Sequence, residues 1–433
     1  MRSIVLERFQ KRKAKMTSLS QVTGLFLMVC LLFSGCGRTE TEAGQETVIS
    51  VAPTESVPET EVGTDEGDSG ITLTEAAITE TMPEENDTTV TIMIYMDAAT
   101  LESGEEPFAS YDMEQMFEAK LSEQVNVLIQ TGGTAKWTNP EISTRTTQCY
   151  RLVEGTLELV EDTGEQQDMT APETLKEFIL FSAKAAPADR YMLILWGHGR
   201  GPQIGYGMDD FQNAGKAMAL EGMAGAIEAA IADAGIVLEW IGFDVCLMGN
   251  LETVYALRNC CEYLAVSEDY EPAYGWQYTK LLNALSENPA LSNKELAQVI
   301  VDGFMEEAER SGDRGIMAVI DMIYAEELMT AWEAFCTAQD EAAEQAQKTV
   351  DELVIQVWSD ENLLTPVPTG VDGYVTDDYL YSLQDYGLTD VQAICELAGT
   401  PEAEAMMELL QESIVCVESF HMARTMCGLA VGE

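Results

Sequence analysis

"MLILWGHGRG", Met192 to Gly201, decides how the rest of the chain is read. The run Met192 to Trp196 is apolar at every position, so neither face of it suits water. That pattern fits a strand buried on both sides, inside a parallel sheet covered by helices. The run ends abruptly in Gly197, His198 and Gly199. The flanking glycines let the backbone turn and leave the imidazole uncrowded. His198 is one of only two histidines in 433 residues. Its position at a strand exit makes it a candidate for chemistry, because sites in open α/β sheets form at the carboxyl ends of strands.

Outward from this strand the chain alternates strands and helices. Upstream, "TVTIMIYMDA" (89–98) and "VNVLIQTGG" (125–133) read as buried strands, with a loop and helix between them. "STRTTQCYRLVEGTLELVED" (143–162) reads as a hairpin, and Pro172 and Pro187 bracket an amphipathic helix. Downstream, "LEGMAGAIEAAIADAG" is a helix closed by Gly235. "VLEWIGFD", "EYLAVSED" and "GIMAVIDM" supply further strands, and residues from about 322 to 422 read as mostly helical. "CGLAVGE" at the end looks like the start of one more strand. The fold class is therefore α/β: a three-layer sandwich with a mostly parallel central sheet and helical C-terminal additions.

Composition narrows the function. Lys and Arg number 23 against 75 Asp and Glu, a formal net charge of -52. Such a chain repels nucleic acid and anionic lipid surfaces, so a duplex-binding role is excluded. Ten cysteines include no CxxC pair and no Cys/His cluster, so neither a structural zinc site nor a disulfide framework is indicated.

The N-terminus reads as an export signal. Six basic residues precede an apolar run, "VTGLFLMVCLLF" (22–33), too short for a comfortable membrane span. "FSGC" follows, ending at Cys36, and resembles the lipobox at which bacterial lipoproteins are cut and lipidated. An uncleaved anchor, or an ordinary signal peptide with an incidental Cys, are the alternatives. Residues 36–88 are rich in Thr, Glu, Gly and Pro, with no Phe, Trp or Tyr, and cannot bury enough surface to fold. They read as an acidic tether after a 1–35 leader and before a folded domain over 89–433.

The second candidate is Cys246, at the end of "EWIGFDVC" and just before the helix expected from "LMGNLETVYAL". A thiol near a helix N-terminus is expected to favour the thiolate. His198 and Cys246 then leave neighbouring positions on one sheet edge, and a Cys beside a His is a nucleophile suited to acyl transfer. The His stands 48 residues before the Cys, close to the spacing of about 50 in caspases. Asp244, two residues before Cys246, lies on the same side of the extended segment, where a helix cap is one reading of it.

"YMLILWGHGRG" and "IGFDVCLMGNLET" resemble the two signature blocks of the clostripain family of cysteine peptidases, relatives of caspases, gingipains and legumain. "TIMIYMDAATLES" and "SEDYEPAYGWQY" are similar to further family segments, so the resemblance runs from about residue 90 to 431. It implies a caspase-like fold and an endopeptidase with Cys246 as nucleophile and His198 as general base. It places the oxyanion on backbone N–H groups of Gly199 and Cys246. It makes Asp244 the acid of a pocket for Arg or Lys, with Glu268 and Asp269 as further candidates. Family members are often cut in the loop after the His, where Lys216 is the candidate; an ordinary mobile loop is the alternative. No cofactor is required. Calcium is allowed, with carboxylates in "MDD" (208–210) but no EF-hand run. The expected partners are peptides or proteins with basic residues, the expected state a lipid-anchored monomer outside the cytoplasm. His421 is read as structural or surface. Relatives continue past "GLAVGE" through a longer strand, so a shortened C-terminus is expected. The rival reading is a silent surface lipoprotein that keeps the fold as a binding module.

Overall fold

The computed structural model describes residues 87–211, 216–338, 388–421 and 426–432. The leader, Cys36, nearly all of the tether and the polar stretch "TPVPTGVDGYVTDD" lie outside the described residues. Among the described residues no helix is long and apolar enough to cross a membrane.

Five strands form the parallel centre. β1 (Val90–Asp97) lies between β2 (Val125–Gly132) and β5 (Arg190–Trp196). β5 pairs with β6 (Leu238–Asp244), and β6 with β7 (Cys261–Val266), all parallel. All eight residues of β1 are buried, as a two-faced strand requires. Antiparallel strands extend both edges: β3 (Gln148–Val153) and β4 (Thr156–Asp162) beyond β2, β8 (Gly315–Asp321) and β10 (Ile414–Phe420) beyond β7. The β3–β4 turn puts Glu154 and Gly155 both at positive φ, the two-residue geometry that suits hairpin twist.

Helices cover both faces. On one side α1 (Phe108–Glu118), α5 (Tyr278–Glu287) and α6 (Asn293–Ser311) contribute Met113, Leu282 and Val301 to a core that includes Ile92, Ile94 and Met96 of β1. The alternate β1 residue Tyr95 meets Phe178 of α2 (Pro172–Ala185) with ring centroids 5.8 Å apart. α2 packs on α3 (Leu220–Ala234), which Gly235 ends in the left-handed conformation. α4 (Leu251–Ala256) follows β6.

The described part of the C-terminal third holds the expected helices and adds a strand to the main sheet that the sequence did not announce. α7 (Ala325–Ala338), α8 (Val391–Ala398) and α9 (Pro401–Ser413) are present, but α9 runs directly into β10, an edge strand on the main sheet. The terminal strand β11 (Ala430–Gly432) pairs with β9 (Leu388–Asp390) in a separate ribbon. Ala430 also bridges Asn250, which ties that ribbon to the start of α4.

Between β1 and β5 the sheet reverses its order of growth, with β2 on one side and β6 and β7 on the other. Such a switch point opens a crevice at the strand carboxyl ends. β1, β5 and β6 all end there.

Candidate active site

The register of β5 and β6 sets the two candidate residues side by side. Trp196 pairs with Asp244, and the Gly197 N–H donates to the Asp244 carbonyl at 3.3 Å. His198 and Cys246 each lie two residues beyond that pair, so the 48-residue spacing in the sequence is the strand register carried past the sheet. Gly199 then passes so close to the Cys246 carbonyl that a Cβ would overlap it, and only glycine fits. The chain next doubles back in a bridge between Gly199 and Tyr206, closed by Arg200 N–H to Gly205 C=O (3.0 Å) and Gly207 N–H to His198 C=O (2.8 Å). That bridge does not use the Gly199 N–H. Buried Tyr206 fixes the loop by donating to the carbonyls of Tyr95 (3.1 Å) and Trp196 (2.9 Å).

His198 is partly buried, and its Nε2 lies 2.7 Å from Thr100 Oγ1, just past β1. Burial, then the nearby Arg200 cation, brings its pKa down to about 4. Cys246 is partly exposed in a turn, and its Sγ accepts the Glu271 N–H at 3.3 Å. Burial, then the carboxylate of Glu271, pushes the thiol up to about 12. This corrects the expectation of a helix-stabilised thiolate. α4 starts only at Leu251, is six residues long, and is capped by Asn250, whose Oδ1 accepts from Thr253 N–H at 2.8 Å. A helix dipole acts within its first turn, and Cys246 stands outside it.

Asp244 is buried and does not cap α4. Tyr278 donates its hydroxyl to Asp244 Oδ2 at 2.7 Å. The Glu271 carboxyl faces Asp244 closely enough to share a proton, and burial raises both. Gly275 runs against Asp244 at φ +56 with no room for a side chain. Sequence reasoning missed Glu271, which touches Cys246 with its backbone and Asp244 with its side chain. The only signal was a third acid in "SEDYE". It also missed Asp112, fully buried and accepting from Trp196 Nε1 at 2.7 Å, which burial and then the charge of Asp244 push well above the usual carboxylate range.

The other expected residues have partners of their own. Asp269 pairs with Arg314 at 3.3 Å. Glu268 is buried in a group with Asp390 and Cys427, their ligand atoms within 4.8 Å of one another. Asp390 there is occupied with the Ala393 (2.6 Å) and Cys427 (2.9 Å) N–H groups. In "MDD", Asp210 accepts from Thr100 N–H, Ser103 Oγ–H and Ala135 N–H, and Asp209 accepts from Phe211 N–H, so both hold the loop in place. Lys216 is exposed and ion-paired with Asp168; residues 212–215 before it lie outside the described residues. His421 is exposed and stacked on Phe420. Glu102, in the segment "TIMIYMDAATLES", had no role assigned from the sequence. It is fully buried and accepts from Ser110 N–H (2.9 Å), Ser110 Oγ–H (2.7 Å) and Thr138 N–H (2.6 Å), joining the loop after β1 to α1 and the β2–β3 connection.

The model of the clostripain family matches residues 94–395. No curated protein matches the chain. Among solved structures, a secreted C11 cysteine protease from Bacteroides thetaiotaomicron in complex with an irreversible peptide inhibitor is similar, with TM-score 0.56 and 16% identity over 80% of this chain and 92% of that one. An inactive zymogen C11 protease from Parabacteroides distasonis gives a TM-score of 0.52 at 18% identity over 81% of this chain and 93% of that one. At such identities the likeness is one of fold, and that fold is caspase-like.

Proposed function

Because the chain belongs to the clostripain family and is a cysteine-type peptidase, we propose that Cys246 is its nucleophile, that His198 is the general base, and that substrates present Arg or Lys to Asp244. The observation that carries this reading is the β5–β6 register, which brings His198 and Cys246 off adjacent strands at the switch point. His198 takes the thiol proton as sulfur attacks the peptide carbonyl, then returns it to the leaving amine. The N–H groups of Gly199 and Cys246 are the proposed donors to the tetrahedral oxyanion. A water then releases the acyl group from Cys246.

Asp244 and Glu271 support a cationic P1 side chain. A buried carboxyl pair that holds one proton is relieved of repulsion when a guanidinium or ammonium enters. Glu268 and Asp269, with other partners, give this pocket less support. We place the enzyme outside the cytoplasm, in line with its secreted structural relative, monomeric and held by lipid on Cys36. Self-cleavage next to Lys216 and an accessory calcium ion belong to the same reading.

The test is hydrolysis of fluorogenic peptides ending in Arg, Lys, Asp and Leu by the wild type, Cys246→Ala and His198→Ala. Arg and Lys substrates turned over by the wild type alone is the expected result. Full turnover by Cys246→Ala would remove the thiol from the mechanism. Absence of turnover by the wild type on every peptide would favour the binding-module reading.

A further inference from the structure

We infer that Thr100 is a positioning residue for His198: its hydroxyl accepts the Nε2–H of the imidazole and leaves Nδ1 as the basic nitrogen. The inference rests on the reading of His198 as general base. The Oγ1 to Nε2 distance of 2.7 Å is short for an O···N contact. A histidine has two ring nitrogens, and which one keeps the proton is fixed by the partner of the other. Thr100 engages Nε2, so Nδ1 is the nitrogen left for chemistry. The Ala99 backbone also bonds the ring in a way that favours its protonated form.

The conformation of Thr100 is unusual. Its φ is +49°, and a β-branched residue in the left-handed region is a genuine outlier. Such conformations persist where surrounding structure holds them, and they cluster at active sites. Asp210 does the holding. Its Oδ1 accepts the Thr100 N–H at 3.1 Å, while Oδ2 accepts Ser103 Oγ–H and Ala135 N–H at 2.9 Å each. The loop after β5 carries both His198 and Asp210, so it returns through Asp210 to clamp the residue that orients its own histidine. Asp210 acts through Thr100, and Thr100 through His198; neither needs to touch substrate.

The chain's two histidines make a direct test practical. Histidine-selective 15N labelling of the full chain and long-range proton–nitrogen spectra at pH 7 report the tautomer of His198, with His198→Ala assigning its signals against His421. The wild type and Thr100→Ser should show the Nε2–H form. Thr100→Val, which keeps the shape and loses the hydroxyl, should show mixed tautomers. Its kcat should fall about 10-fold with KM nearly unchanged, as loss of one hydrogen bond at the base implies, and Thr100→Ser should restore it. An Nδ1–H tautomer in the wild type overturns the inference even if Thr100→Val does not fold. So does Thr100→Val with wild-type tautomer and kcat. Retained turnover in His198→Ala is a separate outcome, which removes the general-base reading while the spectra still report what Thr100 does to the ring.

Discussion

Replacing Asp244 by Asn tests the pocket and its cost together. Asn has nearly the size of Asp and still accepts from the Tyr278 hydroxyl, so packing changes little. What changes is ionisation. Burial lifts Asp244 from 3.8 to about 6. Below about pH 4 the folded and unfolded chains both hold the proton, and burial of the acid has no electrostatic cost. Between about pH 4 and 6 the unfolded chain loses it first, so stability falls as pH rises. Above about 6 the deficit is complete, on the order of 2–3 kcal/mol for a shift of about two units. Asp244→Asn escapes that deficit. It should melt roughly 2–4 °C higher at pH 7.5 and no higher at pH 4. Function should move the other way. Truncating one partner of a buried charge pair costs roughly 2–5 kcal/mol, so kcat/KM for Arg-ended peptides should drop at least about 30-fold while Leu-ended peptides change little. In the wild type the same preference should weaken as pH falls through about 6, as the pocket acid takes up its proton. Scanning fluorimetry at the two pH values and turnover of the paired substrates read all of this. An unchanged Arg-to-Leu ratio would refute the assignment of the pocket to Asp244. A stabilisation equal at both pH values would refute the account of its cost.

Other perturbations probe separate parts of the argument. Iodoacetamide, followed by peptide mapping to separate Cys246 from exposed Cys336, should label Cys246 slowly at pH 7 and faster through pH 9; a plateau near neutrality would reveal a thiolate–imidazolium pair instead. Glu102→Ala leaves the buried N–H groups of Ser110 and Thr138 without their acceptor, so urea unfolding should show a loss on the order of 2–4 kcal/mol; a loss within about 0.5 kcal/mol, the range of an ordinary surface substitution, would contradict that role. Detergent-phase partitioning of the expressed protein should disappear in Cys36→Ser, and equal partitioning would reject the lipid anchor.

Much of the frame was legible because it depends on local pattern. A strand apolar on both faces has one stable place, and the β5 and β6 runs declared it before any site was considered. Gly235 and the Glu154-Gly155 turn were readable for the same reason, since backbone geometry there selects residue type. β10 was hidden because α9 passes into it at Ile414 with no glycine or proline between them, and an edge strand needs no strict alternation. The thiol environment was misread because "VCLMGNLET" does not reveal that Leu247 takes a φ of +64 and delays the helix to Leu251. Thr100 lies in the loop after β1, Asp112 on α1 and Glu271 in the segment after β7. Each is an ordinary polar residue in its own segment, and only the sheet topology gathers them around β5 and β6.

The resting chemistry of the pair bears on specificity. A thiol near 12 beside an imidazole near 4 is a neutral pair, so no stored thiolate awaits the substrate. The proton must leave as the sulfur attacks, and whatever eases that ionisation speeds the step. After burial, the largest obstacle to it is negative charge at Glu271, whose backbone touches the sulfur and whose carboxyl shares one proton, and so one charge, with Asp244. A cationic side chain seated against Asp244 and Glu271 cancels that field while it remains bound. On the proposed assignment of Cys246 and Asp244, the substrate would assist its own cleavage, because binding the cation and easing ionisation of the thiol pass through one residue. Interactions that act on the reacting group raise kcat rather than only lowering KM. Arg-ended peptides should therefore exceed Leu-ended ones in kcat as well as in affinity, and Glu271→Gln should shrink the kcat difference by raising the Leu value. Single-turnover rates at saturating peptide separate the two contributions. Equal kcat for the two substrates, with the whole preference in KM, would show that the pocket and the thiol do not communicate.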